Sequence, residues 1–386
     1  MTARDAAATL SRMRTWGLLA ALAGGAAFAL GALLSPQRAL ESYLFGYMFW
    51  LNFTMGCVGL LMLHHMVSGG WGFMIQRTAE AGAWTILPMA ILFVPLLFSV
   101  RTIYPWAGAA GARVWGAWLN VPFFVVRALF YFAVWIAAAL LLGGWSRSQD
   151  AGDGPRFTRR MRLLSAAGLP VYVFTMTFAS VDWIMSLEPG WFSTIYGAII
   201  VVDQVLAALA FAAVVLRAVP VARPLGAVVT TRRVHHLGNM ILTFVILWAY
   251  VAYSQYVIIW SGDLPDENSW YVHRTGGGWG AFAVVVIAVH FFLPLILLLF
   301  RSSKRSLRAL ARIALLLLVM RLADTFWLVM PAFSPGNLGV ALTDIAAPLA
   351  IGGLWVAAFA WRLRGGSLVP LGDPRFHTSP VVAEGA

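Results

Sequence analysis

The sequence predicts an all-α integral membrane protein with about ten transmembrane helices and both ends on the cytoplasmic side. Three observations lead there. Of 386 residues, 61% are hydrophobic and only 11% are charged, with a mean hydropathy of +0.81, and water cannot solvate a folded surface of that composition. Apolar stretches of the length a bilayer core requires, about 20 residues per helix, follow one another from Thr15 to Arg362 with short breaks. The basic residues fall on alternate connections between those stretches.

The first stretch, Thr15–Leu34, follows Arg4, Arg12 and Arg14. It is longer than a signal-peptide core and lacks a small-residue cleavage site, so it reads as an uncleaved first span. Leu44–Val67 comes next, with His64 and His65 towards its inner end, and then Ala83–Val100. Val121–Gly143 contains one charged residue, Arg127, and Leu163–Leu187 contains Asp182. Thr194–Ala218 contains Asp203, Gly238–Trp260 is followed by the acidic run Asp263 to Glu267, and Trp279–Phe300 carries His290. Leu307–Met330 holds Arg312, Arg321 and Asp324, and Val340–Arg362 holds Asp344. Barrel strands would be about 10 residues of strict alternation, whereas these runs are twice as long and apolar on all faces, as spanning helices are. The domain reading is therefore a cytoplasmic N-terminus (1–14), a ten-helix membrane domain (15–363) and an extended cytoplasmic tail (364–386).

A net charge of +12 would point to nucleic acid in a soluble protein, but its distribution points to topology instead. Assigning alternate connections to one side collects 20 of the 27 Lys and Arg residues there. Arg38, Arg101, Arg113 and Arg274 fall on the other side, and Arg127, Arg312 and Arg321 fall inside spans. By the positive-inside rule the basic side is cytoplasmic. On the outer side, Trp191, Trp260, Trp270 and Trp279 flank helix ends as interfacial anchors would, and Asp263 to Glu267 reads as an acidic hairpin.

Charges inside spans need a reason, because each costs roughly 2.5–3.5 kcal/mol at a helix centre on insertion scales. Asp203 lies near mid-depth, about 14 Å along its predicted helix at 1.5 Å per residue, and His290 is near the midplane. Asp182 and Asp324 lie a turn or two below the outer surface, with Asp344 close to it. Buried carboxyl groups and imidazoles can take and give protons, so Asp182, Asp203, His290, Asp324, His64, His65, Tyr250 and Arg127 are the candidate proton-path residues. Plainer roles stand beside this one: Arg321 and Asp324, spaced i,i+3, neutralise each other; Asp344 begins a helix; Arg127 partners one of the acids. His235 and His236 read as surface groups at a basic helix start, and His273 as a loop residue.

No catalytic residue, metal site or cofactor is assigned to the chain itself. Its one cysteine, Cys57, excludes an iron–sulfur cluster held by this chain and a CxxCH haem attachment. His64 and His65 are about 100° apart on one helix, so only one of them could face a haem iron, with His290 as the second ligand.

From the loop before the fourth span onward the text resembles a known family. The runs IYPWA (Ile103–Ala107), WLNVPFFVVRALFYFAVW (Trp118–Trp135), FASVDWIMSLEPGWFSTIYG (Phe178–Gly197), LWAYVAYSQYVIIWSGDLPDENSWYVHR (Leu247–Arg274) and LVPLGDPRF (Leu368–Phe376), with LLMLHHMVSGGWGF (Leu60–Phe73), are similar to the second NrfD-like integral subunit of bacterial alternative complex III. The likeness runs in order from about Tyr43 to Phe376. It implies two four-helix bundles, spans two to five and six to nine, with one flanking helix at each end, in the bacterial cytoplasmic (inner) membrane. It also implies a respiratory quinol:electron acceptor oxidoreductase in which partners carry the haem c and iron–sulfur clusters. Those partners would be a multihaem cytochrome c, an iron–sulfur protein, a monohaem cytochrome c and a sister NrfD-like subunit that binds menaquinol, with cytochrome c or a terminal oxidase as acceptor. The sister subunit typically has His in the turn where this chain has Phe192, so the resemblance implies a scaffold and proton-path subunit here rather than the one that oxidises quinol.

Two other readings use the same residues. A stand-alone secondary transporter would place a midplane site at Asp203, His290 and Tyr250, although Pro88, Pro95 and Pro294 do not interrupt matched helices of two halves as such folds do. A membrane enzyme acting on lipid would want His and carboxylate at one interface, whereas His64 is assigned inside and Asp182 outside.

Overall fold

The computed structural model describes residues 3–108, 116–152, 154–219 and 225–374. Arg113, Arg223 and the tail from Arg375 onward, including the end of the LVPLGDPRF run, lie outside the described residues. Among the described residues there is no strand, and ten helices are long and apolar enough to cross a membrane: spans 1 to 10 are Arg4–Leu34, Pro36–Val67, Gly70–Phe98, Val121–Ala151, Gly154–Leu187, Tyr196–Ala218, Thr231–Gly262, Trp279–Leu299, Leu307–Ala332 and Leu342–Arg364. Leucines and phenylalanines point outward from them; Leu33 is 82% and Phe98 87% exposed. Such a surface is stable against hydrocarbon, and the protein is a multi-pass membrane protein.

Spans 2 to 5 form one four-helix bundle and spans 6 to 9 another, joined where span 2 crosses span 6. Those two helices are the central ones and the most deeply buried. Their crossing depends on Gly56, since a Cβ there would lie 1.8 Å from the Gln204 carbonyl oxygen. Small residues allow such approach in membranes, where packing replaces the hydrophobic drive between helices. The flanking helices, spans 1 and 10, come from the two ends of the span order. Spans 1 and 10 pair with each other antiparallel, Gly17 against Gly353 and Gly24 against Ala350, and span 10 packs on span 2.

Several boundaries differ from those the hydropathy pattern predicts. Span 3 begins at Gly70 rather than Ala83, because the polar stretch Gly70–Trp84 is helical and joins Ile86–Phe98 through Thr85, whose hydroxyl donates to the Gly82 carbonyl. The acidic hairpin is instead a left-handed turn at Asp263 followed by a short outer helix, Pro265–Thr275, with Asp266 and Glu267 in its first turn, where carboxylates oppose the positive end of the helix dipole. Of the four tryptophans expected at the interface, Trp191, Trp270 and Trp279 are buried, Trp191 and Trp270 stacked at 4.9 Å; only Trp260 faces outward, 67% exposed. The indoles are packing elements because the outer helix covers them. Tail residues 365–374 do not trail away. Gly372 N–H donates to Asp150 Oδ1 at 2.9 Å and ties the segment to the end of span 4.

Substituting Gly56→Val forces spans 2 and 6 apart. Overpacking of this kind costs about 1–3 kcal/mol, and a lowered melting temperature of the detergent-solubilised chain is the expected result, with Gly25→Val, which meets no neighbour, as the control.

Candidate functional site

Span 6 carries Asp203 seven residues from its outer start, about 10 Å deep at 1.5 Å per residue. Span 9 carries Arg321 and Asp324 on one face, since an i,i+3 spacing aligns side chains on a helix. In the core of the second bundle Arg321 Nη1 lies 2.6 Å from Asp203 Oδ1 and 2.6 Å from Asp324 Oδ2. All three groups are buried. The contact with Asp324 is an aligned hydrogen bond. Asp203 has the Coulomb attraction without that alignment: among the described residues neither of its oxygens accepts a hydrogen bond, and Arg321 Nε and Nη2 have no acceptor.

His290 sits in the same bundle, fully buried, with its ring 4.4 Å from that of Trp248. Its backbone is a π-helical turn, Ile287–Phe292, followed at once by Pro294. Proline has no N–H for the carbonyl of residue 290, and the Leu293 N–H reaches back to Ala288 instead. Turns of this type mark functional positions in many helices. The π-turn packs against spans 7 and 9, and neither imidazole nitrogen has a partner among the described residues.

Asp182 and Arg127 form a different kind of site. Arg127 grips Asp182 with two parallel bonds, Nε to Oδ2 and Nη2 to Oδ1, both 2.8 Å. Trp118 Nε1 and Tyr131 Oη donate to the same carboxylate at 2.9 Å, and the guanidinium stacks 4.3 Å from the Trp118 and Phe123 rings. Every oxygen of Asp182 is engaged, which makes this a lock between spans 4 and 5. Asp344 is similar: it starts span 10, accepts the Ala341 N–H at 2.8 Å, and meets Arg38 at 2.7 Å and Ser42 at 2.6 Å.

A third cluster lies at the inner end of the first bundle. His64 meets Gln76 at 3.2 Å, and Glu80 accepts from Gln76, Arg77 and Ser146 at 3.0, 2.6 and 2.5 Å. Arg77 also binds Asp150. Where the bundles meet, Tyr172 donates to Gln204 at 2.7 Å and Gln204 to Asn52 at 3.3 Å.

The expected residues therefore divide. Arg321 joins Asp203 and Asp324 in one bundle core, where His290 is also buried; Asp182 and Arg127 form the outer lock; His64 is in the inner cluster, and His65 is buried beside it with ring centroids 5.5 Å apart. Tyr250 joins none of them, being 67% exposed, while Trp248, two residues earlier, is the span 7 side chain on His290. His64 and His290 lie in different bundles, so they do not face each other across one group. His273 is on the outer helix, 2.7 Å from Glu188, which also pairs with Arg274 at 2.6 Å. Burial draws the Arg274 guanidinium below its ordinary pKa, and Glu188 opposes that shift.

Pattern reading missed Glu80, Gln76 and Gln204. Glu80 had a usable signal, the i,i+3 spacing from Arg77, but it stood in a stretch taken as a loop. Among the described residues no three His, Cys, Asp or Glu side chains are grouped to hold a metal. Compared with known proteins, the chain matches no family model and no curated protein.

Removing one partner of a buried pair costs about 3–5 kcal/mol, because a charge is left without compensation. Asp182→Asn and Arg321→Gln are expected to lower the melting temperature sharply. Arg127→Met with Asp182→Leu should cost less than the two single changes summed, since they act on one interaction, and a double-mutant cycle in detergent measures this.

Proposed function

We propose that this chain is a membrane subunit of a respiratory quinol:electron acceptor oxidoreductase of the alternative complex III type, in the bacterial inner membrane, where it supplies scaffold and a proton path. The observation that carries the proton path is the charge count at Arg321. One guanidinium faces two buried carboxylates, and a proton on either acid balances the site. That proton is the one the site has to exchange, and His290, buried in the same core, is the next acceptor.

The residues that carry the family resemblance also cluster usefully. Tyr104, Trp106, Trp118, Arg127, Asp182, Trp183 and Ser186 form one hydrogen-bonded network near the outer ends of spans 4 and 5, and Glu188, Trp191, Trp270 and Arg274 form the next. A rigid outer cap is what docking of an electron-carrying partner requires. Phe192, exposed on that cap, offers no group to take a quinol proton, so quinol oxidation belongs to the sister subunit. Moving a charge against the membrane potential requires about 2.3 kcal/mol per 100 mV, which electron transfer in the haem and iron–sulfur partners would provide.

Two measurements test the reading. Solubilised in mild detergent from its native membrane, the chain is expected to co-elute with a red, haem-bearing assembly; a colourless monomer active in solute uptake would instead support the transporter. In the assembly, Asp203→Asn and His290→Leu should lower proton uptake per electron while electron transfer continues. An unchanged ratio would leave the scaffold role alone.

A further inference from the structure

The inner ends of spans 3, 4 and 10 enclose a cavity of about 220 Å³. Arg77 and Glu80 line it from span 3, Arg147 and Asp150 from span 4, and Arg362 from span 10, with the turn Gly365 to Ser367 closing one side. Three guanidinium groups thus face two carboxylates. Both carboxylates are engaged by Arg77, and Glu80 is further held by Gln76 and Ser146.

Arg147 and Arg362 are left. Among the described residues neither has an ion pair or a hydrogen bond, and the only contact of Arg362 of this kind is with the Trp84 ring, 5.5 Å away. Both are half-buried. Glu80 and Asp150 attract Arg147, and Glu80 attracts Arg362, but three guanidinium groups against two carboxylates leave the lining with a net positive charge that an anion balances. The floor is fixed, because the chain beyond the turn is tied to Asp150 through Gly372. Gly366 leaves that wall open, as a Cβ there would meet nothing within 4 Å.

We propose that this cavity is a binding site for a phosphate-bearing anion, with Arg147 and Arg362 as its cationic ligands. At about 30 Å³ per water molecule, the volume takes a phosphate group and a few waters. The planar guanidinium fork matches a pair of phosphate oxygens. The ligand is either the head group of an anionic phospholipid or free phosphate. The location, at the basic ends of three spans, is where basic pockets meet inner-leaflet head groups. Nothing in this depends on the respiratory reading.

The test uses the full chain, purified in mild detergent and delipidated, with melting followed by tryptophan fluorescence. Dioleoylphosphatidylglycerol is expected to raise the melting temperature of the wild type. In R147Q/R362Q the half-saturating lipid concentration should rise at least tenfold, and R147K/R362K should fall between. Dioleoylphosphatidylcholine should act more weakly than phosphatidylglycerol. An equal, arginine-dependent shift with inorganic phosphate alone would support the site with free phosphate as its ligand. The same response to phosphatidylglycerol in wild type and R147Q/R362Q would overturn the proposal. Should the double variant not fold, R147Q and R362Q decide: each should lose co-purified phospholipid in native mass spectrometry or show a weakened thermal shift with inorganic phosphate, and full phospholipid retention together with an unchanged phosphate shift in both would overturn it as well.

Discussion

A charge inside hydrocarbon has no water to turn to, and that constraint organises this protein. Insertion tolerates an isolated arginine or aspartate only at a cost of a few kcal/mol, and folding brings several of them to partners on other helices. Arg127 on span 4 finds Asp182 on span 5, and Arg38 on span 2 finds Asp344 on span 10. Arg77 on span 3 finds Asp150 on span 4, and Arg321 on span 9 finds Asp203 on span 6. Each pair joins two helices that apolar packing alone would leave free to slide, because lipid tails solvate leucine as well as another helix does.

These pairs are not equivalent in how fully their carboxylates are hydrogen-bonded. Asp182 has a donor on every oxygen, two of its bonds coming from one guanidinium fork. Asp203 shares a single guanidinium nitrogen with Asp324 and has no aligned donor among the described residues. It stands in the same bundle core as a histidine on a π-turn. The inner cluster around Glu80 lies in the other bundle, and the neutral groups Tyr172, Gln204 and Asn52 meet where the two bundles join.

The close crossing at Gly56 gives those neutral groups their positions. Because spans 2 and 6 touch backbone to backbone, Gln204 reaches both Asn52 and Tyr172, and the two bundles share a polar seam instead of a lipid-filled gap. Spans 1 and 10, paired through facing glycines, cover span 2 from the outside.

The ten helices were legible in the sequence, because the length and apolar character of a span are local properties that the bilayer imposes on each segment by itself. The pairing of Arg321 with Asp324 and the helix start at Asp344 followed from spacing alone. Only the tertiary structure could show that Arg321 also holds Asp203, that Asp182 is the acid Arg127 serves, that Tyr250 faces outward while Trp248 covers His290, and that Glu80 belongs to a buried network. Those facts depend on which helices become neighbours and how each is rotated. That is set by close packing at small residues such as Gly56, and it leaves no periodic trace in the chain.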